Sequence, residues 1–117
     1  MSPSQLREFN RRSIDHLIEE GIHMVYDHHL MEENENWGIW EPSYDLIRIN
    51  PNVEKKGRNF ADLVIVHEWL HPFEDLVLER SKRFKETQID WWAAYHLQRD
   101  PKIGDYIRSF FLEYGFK

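Results

Sequence analysis

Two histidines and a glutamate carry the strongest chemical signal in the chain: His67-Glu68-Trp69-Leu70-His71, an HExxH. Four helical residues turn through about 400°, so the two imidazoles stand one above the other and can reach a single metal ion. Glu68 then lies beside that ion, where it can take a proton from a bound water, the logic of the zinc-peptidase signature. The competing explanation is chance. In a chain this rich in His and Glu, such a motif arises at random at a rate of roughly a few per cent. It therefore needs a third ligand and a supporting context.

Zinc in a hydrolase takes three protein ligands and leaves one position open. After His71 the acidic candidates are Glu74, Asp75, Glu79, Glu86 and Asp90. Glu74 and Asp75 follow too closely to return over the metal from a third direction. Glu86 falls in the first turn of the next expected helix, which can pack antiparallel to the HExxH helix, and is assigned as third ligand. Asp90 shares a face with it and can accept the other ring N–H of His67 or His71. Asp75, four residues after His71, competes for that role. Acids are favoured at helix starts in any case, but HEWLH upstream weighs against so plain a reading. His28 and His29 lie near a strand end without partner spacing and read as solvated, as does His23.

The elements that must position these groups follow from pattern. Residues 3–20 read as an amphipathic helix capped by Ser2, with Pro3 first, Leu6, Phe9, Ile14, Leu17 and Ile18 on one face, and Gly21 as its stop. Strands are expected at 22–28, 37–40 and 44–50, with a turn at Glu41-Pro42-Ser43, forming a small antiparallel meander. Residues 60–71 are apolar nearly all round and predict a buried helix, which Pro72 should kink or end. A helix over 84–98 has Ile89, Ala93 and Leu97 in one column. A last helix over about 101–113 turns Ile103, Ile107 and Phe111 inward, and an apolar tail runs from Phe110 to Lys117.

Composition narrows the class. At 117 residues the chain suits one domain, 1–117, and 5 Trp, 7 Phe and 5 Tyr supply a core despite 31% charged residues. It has no Cys, so any metal is held by His, Asp and Glu. The net charge of −6 and scattered basic residues argue against nucleic acid or an acidic membrane surface as partner. The N-terminus has no apolar signal region, and the longest aliphatic run, Leu63–Val66, is far short of a span. The expectation is a soluble, cytoplasmic protein.

HEWLH followed by Glu86-Thr87-Gln88-Ile89-Asp90 resembles the HExxH…ExxxD pattern of the gluzincin metallopeptidases. The run IRINPNVEKKGRNFADLVIVHEWLH is similar to the Ile-x-Ile-Asn…HExxH layout of ImmA-type phage and bacterial metallopeptidases. In a chain this short the resemblance points most to the minigluzincins, minimal soluble proteins whose fold matches the catalytic domains of HtpX-like membrane peptidases. It covers residues 44–98 at the level of motifs and the rest in layout. It implies an α+β, zincin-like fold, a small antiparallel sheet packed on the HExxH helix with further helices around it. It also implies zinc held by His67, His71 and Glu86, with Glu68 as general base. The family further implies latency through a C-terminal segment and changes of oligomeric state, so self-association is an expectation too. Pro72 directly after the second His departs from the pattern. No residue matches the family's transition-state stabiliser. Tyr95, His96 and Tyr106 lie in the right part of the chain, but helical phase turns Tyr95 and His96 away from the Glu86–Asp90 column.

The function expected is a zinc-dependent endopeptidase acting on peptides or unfolded proteins, with substrate added as a strand to a sheet edge such as Leu46–Ile49. The alternative is a non-proteolytic or self-inhibited regulatory zinc protein, its tail from Phe110 folded into its own cleft. A purely structural metal is the weakest reading, because such sites fill four positions, often with Cys.

Overall fold

The computed structural model describes residues 2–33, 36–78 and 84–112. Helix α1, Pro3–Glu19, begins where Ser2 Oγ accepts the Gln5 N–H at 3.2 Å and Gln5 Oε1 accepts the Ser2 N–H at 2.8 Å. Gly21, at φ 85°, supplies the left-handed residue that ends it. Its inner face carries Leu6, Ile14 and Leu17 with two polar residues, Asn10 and Ser13, while Phe9 is partly exposed and meets Phe73 edge-on. Asn10 and Arg11 both donate to Asp100, which ties α1 to the far end of the chain.

Three short strands follow: β1, His23–Tyr26; β2, Gly38–Glu41; and β3, Leu46–Ile49. A one-and-a-half-turn helix, α2, His29–Glu33, lies between β1 and β2. The sheet is mixed, in the order β1-β3-β2, with β1 parallel and β2 antiparallel to β3. This corrects the expected antiparallel meander. A tight turn over Pro42–Tyr44, with Asp45 at φ 50°, reverses the chain between β2 and β3. The 27–45 stretch is long enough to bring β3 back alongside β1 in the same direction. Leu46–Ile49 is thus the central strand, paired on both sides, and β2 is an edge. Met24, Ile47 and Ile49 point into the core, and on the other face Arg48 joins Asp27 at 2.6 Å and Glu41 at 2.8 Å.

The central helix α3 spans Arg58–Pro72. Ala61, Ile65, Val66, Trp69 and Leu70 are wholly buried. Truncating one of the larger of these to Ala costs about 2–5 kcal/mol. The helix is not buried all round: Phe60, Leu63, Val64, His67 and His71 form a half-buried stripe at helical spacing. The α-helix ends at Pro72, as expected. The ring has no N–H for the Glu68 carbonyl four residues back, and the chain goes on through a wide π turn, Phe73–Val77, where the Leu78 N–H reaches the Phe73 carbonyl.

Helix α4, Glu86–Arg99, packs along α3 through Ile89, Ala93 and His96. Asp100-Pro101 breaks the helix, and α5, Ile103–Ile107, passes into a second π turn, Arg108–Leu112. Ile103, Ile107 and Phe111 are wholly buried, as the spacing predicts. Arg108 bridges Asp62 of α3 and Glu54. The candidate Glu79 and the tail residues 113–117 lie outside the described residues. Among the described residues no helix is long and apolar enough to cross a membrane.

Candidate metal centre

The half-buried stripe of α3 floors a cleft of about 1060 Å³. Edge strand β2 walls one side through Gly38 and Trp40, and the start of α4 closes the other through Phe84, Glu86 and Asp90. His67 and His71 rise from the floor with their rings 5.1 Å apart. Donor atoms of His67, His71 and Glu86 all lie within 4.8 Å of one another, so the three form a group that could hold a metal ion. Glu86 Oε2 is 2.7 Å from His67 Nε2 and Glu86 Oε1 is 3.5 Å from His71 Nε2. Ligands 2.0–2.2 Å from a tetrahedral ion stand about 3.4 Å from each other; the His71–Glu86 spacing matches that, while the His67–Glu86 spacing is that of a hydrogen bond.

His67 is held at both ring nitrogens. Its Nδ1 is 2.7 Å from Asp90 Oδ1, the geometry of an N–H donated to a carboxylate. Nε2 stands 2.7 Å from Glu86 Oε2, so each ring nitrogen meets a carboxylate. An imidazole nitrogen and a carboxylate oxygen 2.7 Å apart share a proton, and a metal bound to both would part them to about 3.4 Å. Asp90 therefore meets His67 rather than His71. Asp75, its rival, accepts the Trp40 indole N–H at 3.1 Å, and its charge also acts on His71.

Glu68 points from α3 toward β2, is 5% exposed, and has Oε2 3.8 Å from His67 Nε2. Burial pushes its carboxyl up to about 8, and the charges of Glu86 and Asp90 add to the effect. Burial also holds His71 below the usual imidazole value, in part against the pull of Glu86, which favours the neutral form that a metal needs. Room for Glu68 comes from Gly38. A Cβ there would sit 2.5 Å from Glu68 Cγ and 2.9 Å from Cδ. The sequence reading passed over Gly38, although a glycine inside a strand-like run signals a close approach.

The remaining candidates lie elsewhere. His96 is buried against Trp69 and Trp92, Tyr95 stacks between Trp91 and Arg99, and the Tyr106 hydroxyl donates to Asp15. None of the three lines the cleft among the described residues. His23, His28 and His29 are exposed, and His29 pairs only loosely with Asp27 at 3.4 Å. Phe111 is wholly buried in the core, so a fold-back into the cleft has to come from beyond it.

No protein-family model, curated protein or solved structure matches the chain.

Proposed function

We propose that the chain is a zinc-dependent endopeptidase of the gluzincin type, with His67, His71 and Glu86 as ligands and Glu68 as general base. The observation that carries the proposal is the placement of Glu68, a buried carboxylate beside three converging metal donors at the floor of a peptide-sized cleft. A zinc ion held there supplies a Lewis acid for the scissile carbonyl and lowers the pKa of a water. Glu68 takes the proton of the attacking water and passes it to the leaving amine. Asp90 keeps the His67 ring turned so that Nε2 faces the site.

The edge of β2 supplies the means of aligning a peptide. The Asn50 N–H bonds the Trp37 carbonyl at 2.8 Å. By antiparallel alternation, residues 37, 39 and 41 then address β3, while Gly38 and Trp40 turn their backbone groups to the open side. An extended substrate can add there as a further strand. Zinc, rather than another divalent ion, is argued from the His-His-Glu donor set with a carboxylate base beside it.

The test is digestion of an unfolded protein by the zinc-loaded chain and by Glu68→Gln. The expected result is cleavage by the first and a loss of at least about a hundredfold in the second, with zinc still bound. Cleavage that persists in Glu68→Gln rules out Glu68 as the base.

A further inference from the structure

Glu74 has no part in the ligand set, yet it is 2% exposed and lines the same cleft. It stands in the wide turn after Pro72, three residues past His71. Its Oε2 accepts the backbone N–H of Phe84 at 2.7 Å, across ten residues of chain. Phe84 is two residues before Glu86, the first residue of α4.

That position matters because the start of α4 is weakly capped. Lys85, the preceding residue, has no acceptor in its side chain, and its own N–H is taken by Gln88 within α4 at 2.8 Å. The carboxylate of Glu86 is largely exposed and belongs to a first turn, where helices fray. Of these two backbone ties, only the one to Glu74 joins the start of α4 to the turn that follows the helix carrying His67 and His71.

We infer that Glu74 is a positioning residue for the third metal ligand: by holding the Phe84 N–H it fixes where α4 begins and so where Glu86 reaches. This rests on the metal reading of His67, His71 and Glu86 above. It also assigns a use to Pro72. The turn that Pro72 opens is the segment from which Glu74 reaches Phe84.

The test is zinc affinity, measured by competition with a chromophoric chelator, for the wild-type chain and for Glu74→Met and Glu74→Gln. Met fills the space without an acceptor, and its zinc affinity is expected to fall about tenfold to a hundredfold, the range typical of groups that orient a ligand. Gln keeps the acceptor and is expected to stay within about threefold of wild type. The Met substitution is repeated on Glu86→Ala, where its effect should vanish because the residue it acts through is gone. If Glu74→Met does not fold, Phe84→Pro removes the donor instead, with the same expectation. Unchanged affinity in the variant lacking the bond overturns the inference while leaving the metal site standing. An equal loss in Glu74→Gln and Glu74→Met overturns it in favour of a charge effect, and an undiminished loss on Glu86→Ala overturns it in favour of general loosening. A wild-type chain that binds no zinc overturns both this inference and the proposed function.

Discussion

The two helices that meet at the site present their side chains under opposite conditions. His67, Glu68 and His71 project from α3, and their side chains are 15%, 6% and 18% exposed. Glu86 and Asp90 stand at the start of α4 and are 71% and 62% exposed. The α3 groups are fixed by the packing that makes the core, so their rotamer freedom is spent in folding rather than in binding a metal. The α4 groups owe their position to a few specific tethers, the Glu74–Phe84 bond and the His67–Asp90 bond among them. One half of the site is preorganised by bulk and the other by single hydrogen bonds.

The largest expected effect comes from breaking the rigid half. Dividing the roughly 10–16 kcal/mol of a structural zinc site over four positions gives about 3 kcal/mol per ligand. His71→Ala should therefore weaken zinc by about a hundredfold to a thousandfold, read by chelator competition. Next comes Gly38→Val, which drives a side chain into Glu68. Cleavage should fall by about a hundredfold, as a displacement of roughly 1 Å commonly does, while zinc affinity holds. Equal loss of both would show that Gly38 serves the whole site and not Glu68 alone.

The exposed half should respond less. Asp90→Asn keeps the shape and weakens the bond to His67, and about a tenfold loss of zinc affinity is expected. The smallest effect lies on the buried side of α4, away from the metal. Burial holds His96 down to about 4. Below about pH 6.5 the unfolded chain therefore takes up a proton that the folded chain refuses, and stability falls as the pH drops toward 4. Between pH 6.5 and 5.5 the cost is about 1 kcal/mol. Urea titrations at the two values should show that difference in the wild type and a smaller one in His96→Phe. A chain ending at Leu112 keeps Phe111 in the core and is the fair test of latency: faster cleavage than the full chain supports self-inhibition, and equal rates remove it.

Helix periodicity was the most legible signal, because one amphipathic helix can be read without knowing what it packs against. The HExxH histidines, the Glu86–Asp90 face and the inward Ile103, Ile107 and Phe111 came from spacing alone. The strands were legible as strands but not in their pairing, since no local signal says that β1 skips its neighbour to lie beside β3. That error made an edge of Leu46–Ile49, which is the central strand. The uniformly apolar look of residues 60–71 hid a cleft-facing stripe, because Leu63 and Val64 can line a groove as well as a core. Glu74 was considered as a ligand and set aside, and the bond it does make joins residues whose nearness only the folded chain reveals. Helical phase turned His96 away from the Glu86–Asp90 column, and it is buried against Trp69 and Trp92.

The mixed pairing of the sheet also bears on how the chain reaches its native state. The β2–β3 reversal is local, closed by the Pro42–Tyr44 turn and the left-handed Asp45, and hairpins of this kind form in about 1–10 μs. The β1–β3 ladder cannot form until the 27–45 stretch has been gathered, and that ordering cost precedes any reward from the contact. The wall of the cleft is thus the sheet's early part and the strand behind it the late one. Asp45→Gly, which relieves the left-handed residue, is expected to speed folding, whereas Val25→Ala in β1 is expected mainly to speed unfolding. Stopped-flow rates for the two variants would separate them.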